Sequence, residues 1–157
     1  MDAILTQNQI RRIIDSFEAT IKPSKIDSFE ATTEQLREEK DFRKAFPANY
    51  LCNDGHKVRS ISEVLIDNWL YEHDITHAYE RKVPIEENVF CDFYVKKCNC
   101  YVEFWGLEDK KYGSRKAKKL GLYGKYKLRL IQLDSEDIKR LDDVFPQRLR
   151  EFGINVQ

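Results

Sequence analysis

Two strand-like segments separated by four residues constrain the fold more than any other feature of this chain. Residues 89–95 and 100–105 are rich in the aromatic and β-branched side chains that favour strands. A connection as short as 96–99 joins antiparallel strands, so the sequence predicts a hairpin. If this loop is centred between Lys97 and Cys98, Asp92 lies directly opposite Glu103.

Hydrophobic periodicity and capping residues predict the elements around this hairpin. The 157 residues suffice for about one domain. In chain order we expect a helix from Ser60 with an apolar stripe of Ile61, Leu65, Ile66, Trp69 and Leu70, a strand at 77–85, the hairpin, a basic helix at 114–126, a strand at 128–133, a helix capped by Asp134 or Ser135, and a last turn-rich helix from Pro146. The predicted class is α+β, in the order helix, three strands, helix, strand and helix.

Residues 1–46 are predicted to be a helical N-terminal extension to a core domain at 47–157. The extension contains the heptapeptide IDSFEAT twice, at 14–20 and 26–32. Two copies at so short a period are too few for a repeat architecture. We interpret them as a local duplication and assign them no chemistry.

Charge and hydropathy exclude some classes of protein. The 27 basic residues balance 27 acidic ones, so net charge alone predicts neither a nucleic acid nor a membrane partner. No run of about 18 apolar residues is present, and we expect a soluble, cytoplasmic protein with reduced cysteines. The spacings of Cys98 with Cys100 and of Cys52 with His56 differ from paired C-x-x-C blocks, which disfavours zinc.

Asp92 and Glu103 interrupt otherwise apolar strands. Like charges opposite each other on two strands repel, and burying unpaired anions is costly. A divalent cation relieves both penalties, and oxygen ligands suit Mg²⁺. The alternative is a solvated face on which both acids pair with lysines of the following helix. Glu63 is equally open, because it completes a capping box with Ser60 and can also hold a metal-bound water.

Charge is segregated along the chain. Residues 107–130 contain nine Lys or Arg against two acids, a local net charge of +7, whereas 61–92 contain eight acids against two bases. A cationic helix beside carboxylates suits a phosphodiester substrate, with tyrosines that stack on bases. The candidate nucleic-acid-binding residues are Lys110, Lys111, Tyr112, Arg115, Lys116 and Tyr123. The alternative is a solvated helix face with core tyrosines.

Over residues 58–133 these motifs and their order resemble the PD-(D/E)xK nuclease superfamily. The resemblance assigns Glu63 to the first helix, Asp92 in C-D-F to the second strand, and Glu103 in V-E-F-W-G to the third strand. Two positions differ from the family motif. Cys91 occupies the loosely kept proline position, and Trp105 occupies the position of the catalytic lysine. Some branches of the superfamily carry that lysine on the following helix, where Lys119 is preferred over Lys116.

The resemblance implies a restriction-endonuclease-like core, an α/β sandwich whose mixed sheet is flanked by helices. It also implies a phosphodiesterase that uses Mg²⁺, or Mn²⁺ in its place, to cut DNA, with endonuclease favoured over exonuclease. Asp92 and Glu103 would hold the metal, Glu63 would hold a second metal or a water, and Lys119 or Lys116 would assist the reaction. Glu80 is a candidate accessory acid, and a homodimer is possible. The alternative is a catalytically inactive nuclease-like module that binds nucleic acid or a protein partner.

Overall fold

The computed structural model describes Arg37 and residues 44–106 and 110–156, with side chains for all of these except 110–112. Contacts between Cα atoms divide the chain into two units, Met1–Phe42 and Arg43–Gln157. All elements with described bounds belong to the second unit. Both IDSFEAT copies lie outside the described residues, and the predicted boundary after residue 46 stays a prediction.

The second unit combines two sheets with helices, which confirms the predicted α+β class. Its elements are β1 (Tyr50–Leu51), β2 (Lys57–Val58), α1 (Ile61–Glu72), β3 (His77–Tyr79), β4 (Phe93–Val95), β5 (Cys100–Trp105), α2 (Lys110–Lys125), β6 (Arg129–Asp134), α3 (Ser135–Ile138) and α4 (Leu141–Glu151). β1 and β2 form an antiparallel pair, and the larger sheet has the order β3-β4-β5-β6. This larger sheet is mixed, because β3, β4 and β5 are antiparallel and β6 runs parallel to β5.

The β4–β5 hairpin has the predicted register. Phe93 pairs with Val102 and Val95 pairs with Cys100, which continues to Asp92 opposite Glu103. However, β4 begins only at Phe93, so Asp92 lies just before the strand. The Phe104 backbone N–H donates a hydrogen bond of 2.7 Å to Asp92 Oδ2. The Asp92 side chain therefore accepts the hydrogen bond that a backbone carbonyl would accept if β4 were longer.

The strand predicted at 77–85 is confirmed only for its first three residues, His77–Tyr79. Glu80 has a φ of 46°, in the left-handed region, which does not continue a strand. Further along, one isolated bridge joins Lys82 to Phe90. The first strand of the sheet is therefore short, and the chain leaves the sheet after Tyr79 and returns to it in the hairpin.

α1 begins with half of the predicted capping box. Ser60 Oγ accepts a hydrogen bond from the Glu63 backbone N–H at 3.2 Å. The Glu63 carboxylate returns to the N–H of Arg59, one residue before the cap, at 2.8 Å. The pairing predicted with the Ser60 N–H is therefore wrong by one residue.

The inward face of α1 carries Ile66, Trp69 and Leu70, all buried as predicted. Ile61 and Leu65 were expected on the same stripe but are 59% and 47% exposed, so that part of the prediction is wrong.

The two faces of the larger sheet bury different clusters. Alternate β5 residues, Cys100 and Val102, pack in a core that also takes in α1 and α4. Tyr101, on the other face, packs in a second cluster with Tyr123 of α2. Glu103 follows the same alternation as Tyr101, so it points toward α2. The alternation explains how a carboxylate on β5 meets side chains from that helix.

The C-terminal region forms the two expected helices, but the first is shorter and the second begins earlier than expected. Asp134 caps α3 through a complete capping box with Asp137. α4 then begins at Leu141 and contains Pro146, which was expected to start a helix. Gly153, with a φ of 84°, follows its end. In the described part of the chain, no helix is both long and apolar enough to cross a membrane.

Candidate active site

Glu103 is the centre of the candidate site. Its side chain is 1% exposed, and both of its oxygens are held by α2. Lys119 Nζ lies 2.7 Å from Oε2, and the Tyr123 hydroxyl donates a 2.6 Å hydrogen bond to Oε1. Lys119 and Tyr123 are one helical turn apart, so they share one face of α2. The helix therefore supplies both partners of this buried carboxylate.

Burial and charge shift the proton affinity of this pair. Burial and, next, the charge of Asp92 raise the pKa of Glu103 to about 8, because together they outweigh the opposing effects of Lys119 and Tyr123. Burial lowers the pKa of Lys119, but the charges of Glu103 and Asp92 outweigh it, and the pKa lies above its ordinary value. The site therefore holds a lysine cation beside a carboxylate that ionises only near neutral to mildly alkaline pH.

Asp92 interacts electrostatically with the two other predicted acids, Glu63 and Glu103. Its carboxylate is oriented by the hydrogen bond from the Phe104 N–H. Its charge raises the pKa of Glu103 and, after the larger effect of burial, also that of Glu63. Asp92 is thus close enough to interact with both glutamates. Three carboxylates share a partly buried region that contains an excess of negative charge.

Glu63 supports the start of α1 and also lies close to another acid of the site. Its Oε2 accepts hydrogen bonds from the Arg59 N–H at 2.8 Å and from the Tyr79 hydroxyl at 2.9 Å. Burial, and next the charge of Asp92, raises its pKa above the ordinary value. The contacts therefore tie Glu63 to the start of α1, and its role toward a metal-bound water stays a prediction.

Glu80, the candidate accessory acid, is paired with an arginine. Arg59 Nε lies 2.6 Å from Glu80 Oε1, and Arg59 Nη2 lies 3.0 Å from Oε2. This two-point pair fixes the carboxylate at the end of β3. Glu80 therefore holds the segment before α1 in place through Arg59, and this describes it better than a role as an acid of the site.

Trp105 lies beside the two candidate lysines of α2. Lys116 Nζ is 5.3 Å from the centre of the Trp105 ring, and Lys119 Nζ is 6.0 Å from it. The indole N–H donates to Gln132 Oε1 at 3.1 Å, which fixes the ring. Both lysines are within cation–π distance of the ring. Lys119 also reaches Glu103, which distinguishes it from Lys116.

The candidate nucleic-acid-binding residues have different surroundings. Lys110, Lys111 and Tyr112 lie at the start of α2, but their side chains are outside the described part of the structure. Arg115 and Lys116 are half-buried. Tyr123 is only 4% exposed, which leaves no ring face open for a base to stack on.

A second polar cluster contains a set of residues that sequence reasoning missed. Asp54, His56, Asp67 and His77 each offer one ligand atom, and these atoms all lie within 4.8 Å of one another. This group can hold a metal ion. Asp67, a charged residue between the buried Ile66 and Trp69 of α1, was the available signal. Comparison of cysteine spacings alone could not find it.

We compared the chain with protein-family models, with curated proteins and with solved structures, and none of them matches.

Proposed function

We propose that this protein is a metal-dependent nuclease of the PD-(D/E)xK type that hydrolyses phosphodiester bonds, with DNA as substrate and Mg²⁺ as cofactor. The proposal includes a restriction-endonuclease-like core. The support for this core is a mixed sheet in the order β3-β4-β5-β6, with α1 before it and α2 between β5 and β6.

One observation carries the proposal. Lys119 of α2 forms an ion pair with Glu103 of β5, while Asp92 is close enough to raise the pKa of Glu103. Two acids on paired segments can hold a divalent cation, and a lysine beside them can stabilise charge on a phosphate, which are roles used in metal-dependent phosphodiester hydrolysis. Here the lysine comes from the helix, since Trp105 occupies its place on the strand.

The donor set fits a hard divalent cation. Glu63, Asp92 and Glu103 offer oxygen ligands, which Mg²⁺ prefers over nitrogen or sulfur. Burial and, next, the charge of Asp92 raise the pKa of both glutamates, and a bound cation would relieve the repulsion among the three acids. Asp92 and Glu103 would hold the metal, and Glu63 would hold a second ion or a water.

When bound, Mg²⁺ supplies Lewis acidity toward the phosphate and lowers the pKa of a coordinated water. The protein's own side chains position the reacting groups and stabilise charge on the phosphate. Lys119 supplies a fixed positive charge beside Glu103 that can stabilise charge on the attacked phosphate. Tyr123 holds Glu103 in place through its hydroxyl. The remaining basic residues of α2 would bind the neighbouring phosphates of the strand.

Cleavage of a mixed nucleic-acid panel tests the proposal. Supercoiled plasmid, linear duplex, single-stranded DNA and RNA are incubated with Mg²⁺, Mn²⁺ or EDTA. We expect cutting that requires a metal, prefers DNA, is lost in Asp92→Ala and persists in Glu151→Ala, which removes an exposed acid at the end of α4.

Two outcomes contradict the proposal. Cleavage that is equal in Asp92→Ala and wild type would place the activity elsewhere or in a contaminant. A folded wild-type chain that binds DNA and cuts no member of the panel would favour the inactive binding module instead.

A further inference from the structure

Three separate chain segments meet in the second polar cluster. Asp54 and His56 lie in the loop between β1 and β2, Asp67 lies in α1, and His77 is the first residue of β3. Asp67 is fully buried, and the side chain of His77 is 3% exposed. A buried aspartate and a buried histidine require explanation, because buried polar groups are costly without partners.

The hydrogen bond on the other side of His77 determines which ring nitrogen can bind a cation. His77 Nδ1 lies 2.8 Å from the Ile75 carbonyl oxygen, which only accepts hydrogen bonds, so Nδ1 carries a proton. In the neutral ring, Nε2 then holds a lone pair. A backbone carbonyl that fixes the tautomer in this way is typical of histidines that bind metals.

Some polar atoms of these residues lack partners, although His56 Nδ1 and Asp67 Oδ2 are hydrogen-bonded to each other at 2.9 Å. Within the described part of the chain, His77 Nε2 and Asp67 Oδ1 are buried and make no hydrogen bond. His77 Nε2 lies 3.2 Å from Asp67 Oδ2 and 3.4 Å from Asp54 Oδ2. A lone pair that faces two carboxylate oxygens is repelled by them. A cation among these atoms would remove the repulsion.

The nitrogen–oxygen separations in the cluster are close to those around a tetrahedral metal ion. His56 Nδ1 lies 2.8 Å from Asp54 Oδ2 and 2.9 Å from Asp67 Oδ2, so these four nitrogen–oxygen separations span 2.8–3.4 Å. Bonds of about 2.0–2.1 Å to a tetrahedral Zn²⁺ place neighbouring ligand atoms about 3.3 Å apart. To bind such an ion, the shortest nitrogen–oxygen pairs would open slightly and the widest pair of ligand atoms, which are up to 4.8 Å apart, would close.

We propose that Asp54 Oδ2, His56 Nδ1, Asp67 Oδ2 and His77 Nε2 form a structural Zn²⁺ site. Imidazole nitrogen favours Zn²⁺ over Mg²⁺. Four protein ligands complete a tetrahedron and leave no open position, which is the arrangement of structural zinc. The site would fasten the β1–β2 loop to α1 and β3. It is independent of the nuclease proposal and uses different residues.

The Zn²⁺ site would also stiffen the elements that carry part of the candidate active site. Asp67 lies one helical turn after Glu63 on α1, and His77 lies two residues before Tyr79 on β3. Tyr79 is hydrogen-bonded to Glu63. Zinc binding would therefore fix the helix and the strand whose side chains meet at Glu63.

Metal analysis of the tag-free full chain tests the site. The protein is stripped with EDTA, titrated with Zn²⁺ against a chromophoric competitor, and its bound zinc is counted after desalting. We expect one Zn²⁺ per chain and a higher melting temperature with zinc. Co²⁺ in its place should show the intense visible absorption of tetrahedral coordination.

Matched variants identify the ligands. His77→Gln and His56→Gln should each weaken Zn²⁺ binding at least about tenfold. The His56→Gln variant should still fold, because the His56 side chain is 36% exposed. It therefore tests the site even if His77→Gln misfolds. His73→Gln is the control, since His73 stacks on Trp69 outside the cluster. Asp92→Asn should bind zinc normally even if it cuts no DNA, which separates this proposal from the nuclease proposal.

Three results would overturn the assignment. The first is a folded wild-type chain that binds no Zn²⁺ at micromolar free zinc, which would mean that a proton on His77 neutralises the cluster. The second is unchanged binding in both His77→Gln and His56→Gln. The third is zinc lost in Cys52→Ser but kept in both histidine variants, which would move the site to a thiolate.

Discussion

Lys119 Nζ lies 2.7 Å from Glu103 Oε2 although the two residues are on different elements, α2 and β5. Glu103 is 1% exposed and Lys119 is 24% exposed, so the pair is largely shielded from water. Taking a charge pair out of water is expensive, and such pairs are often no more stabilising than apolar residues. A buried pair beside two further acids therefore fits the proposed function better than a purely stabilising role.

Lys119→Met should reduce metal-dependent cleavage by about 10²–10³-fold, the typical effect of removing one group that stabilises transition-state charge. Lys118→Met removes an exposed lysine of the same helix and is the control. Single-turnover cleavage of the preferred substrate measures the effect. Equal rates in Lys119→Met and wild type would show that Lys119 takes no part in the reaction.

The same substitution should destabilise the fold in a pH-dependent way. Below the pKa of Glu103, about 8, the glutamate is protonated and the variant loses only a hydrogen bond, about 1 kcal/mol. Above it, the variant must bury an unpaired carboxylate or keep it protonated, and the loss grows to about 3 kcal/mol. Urea unfolding near pH 6 and pH 9 measures both values. A loss that does not change with pH would contradict the ion pair.

The hairpin shows what could be predicted from the sequence. Its four-residue loop and the alternation of the two strands fix the register, so Phe93 faces Val102 as expected. Local rules also predict the Ser60 cap and the order of the elements, because each depends on residues close together in the chain.

The contacts that were not predicted depend on distant segments. His77 meets Asp67 only because β3 packs against α1, and no short spacing signals that contact. Tyr123 was assigned to base stacking, whereas tertiary packing buries it with its hydroxyl on Glu103. The position of Ile61 on the exposed side of α1 likewise depends on what the helix packs against.

Tyr123→Phe should shift the pH profile of cleavage to higher pH. Burial raises the pKa of Glu103 to about 8, and the Tyr123 hydroxyl opposes that shift. Only the ionised glutamate can hold a metal, so Mg²⁺ affinity should rise as the pH approaches 8 in the wild type and at higher pH in the variant. Tyr126→Phe, which alters a hydroxyl next to the exposed Lys125, is the control. Superimposable Mg²⁺ affinity profiles in Tyr123→Phe and wild type would contradict this role.

Asp92→Asn should stabilise the metal-free protein while it weakens Mg²⁺ binding. The Asp92 charge raises the pKa of Glu63 and Glu103, so each contributes stability that is present below its ordinary pKa and is lost as the pH rises through its folded value. Without the Asp92 charge, less stability is lost. We expect a gain of about 0.5–2 kcal/mol near pH 8.5 and none near pH 4.

The amide oxygen of the variant can still accept the hydrogen bond from the Phe104 N–H, which preserves the local backbone. Chemical unfolding in EDTA at the two pH values, together with Mg²⁺ titration calorimetry at the higher one, tests both parts. If the variant is less stable than wild type near pH 8.5, the three acids do not repel one another as described.

Glu63 can be separated from its capping role by two substitutions. Ser60→Ala removes the cap to the Glu63 N–H and should cost about 1 kcal/mol of stability with metal-dependent cleavage unchanged. Glu63→Gln keeps an oxygen for the Arg59 N–H and the Tyr79 hydroxyl, and it removes a carboxylate whose pKa is raised by burial and by Asp92. That variant should be at least as stable as wild type at neutral pH and cut more slowly. Thermal unfolding and cleavage rates, measured on the same samples, distinguish the two roles. If Ser60→Ala and Glu63→Gln lose stability equally and keep full activity, Glu63 serves the helix cap alone.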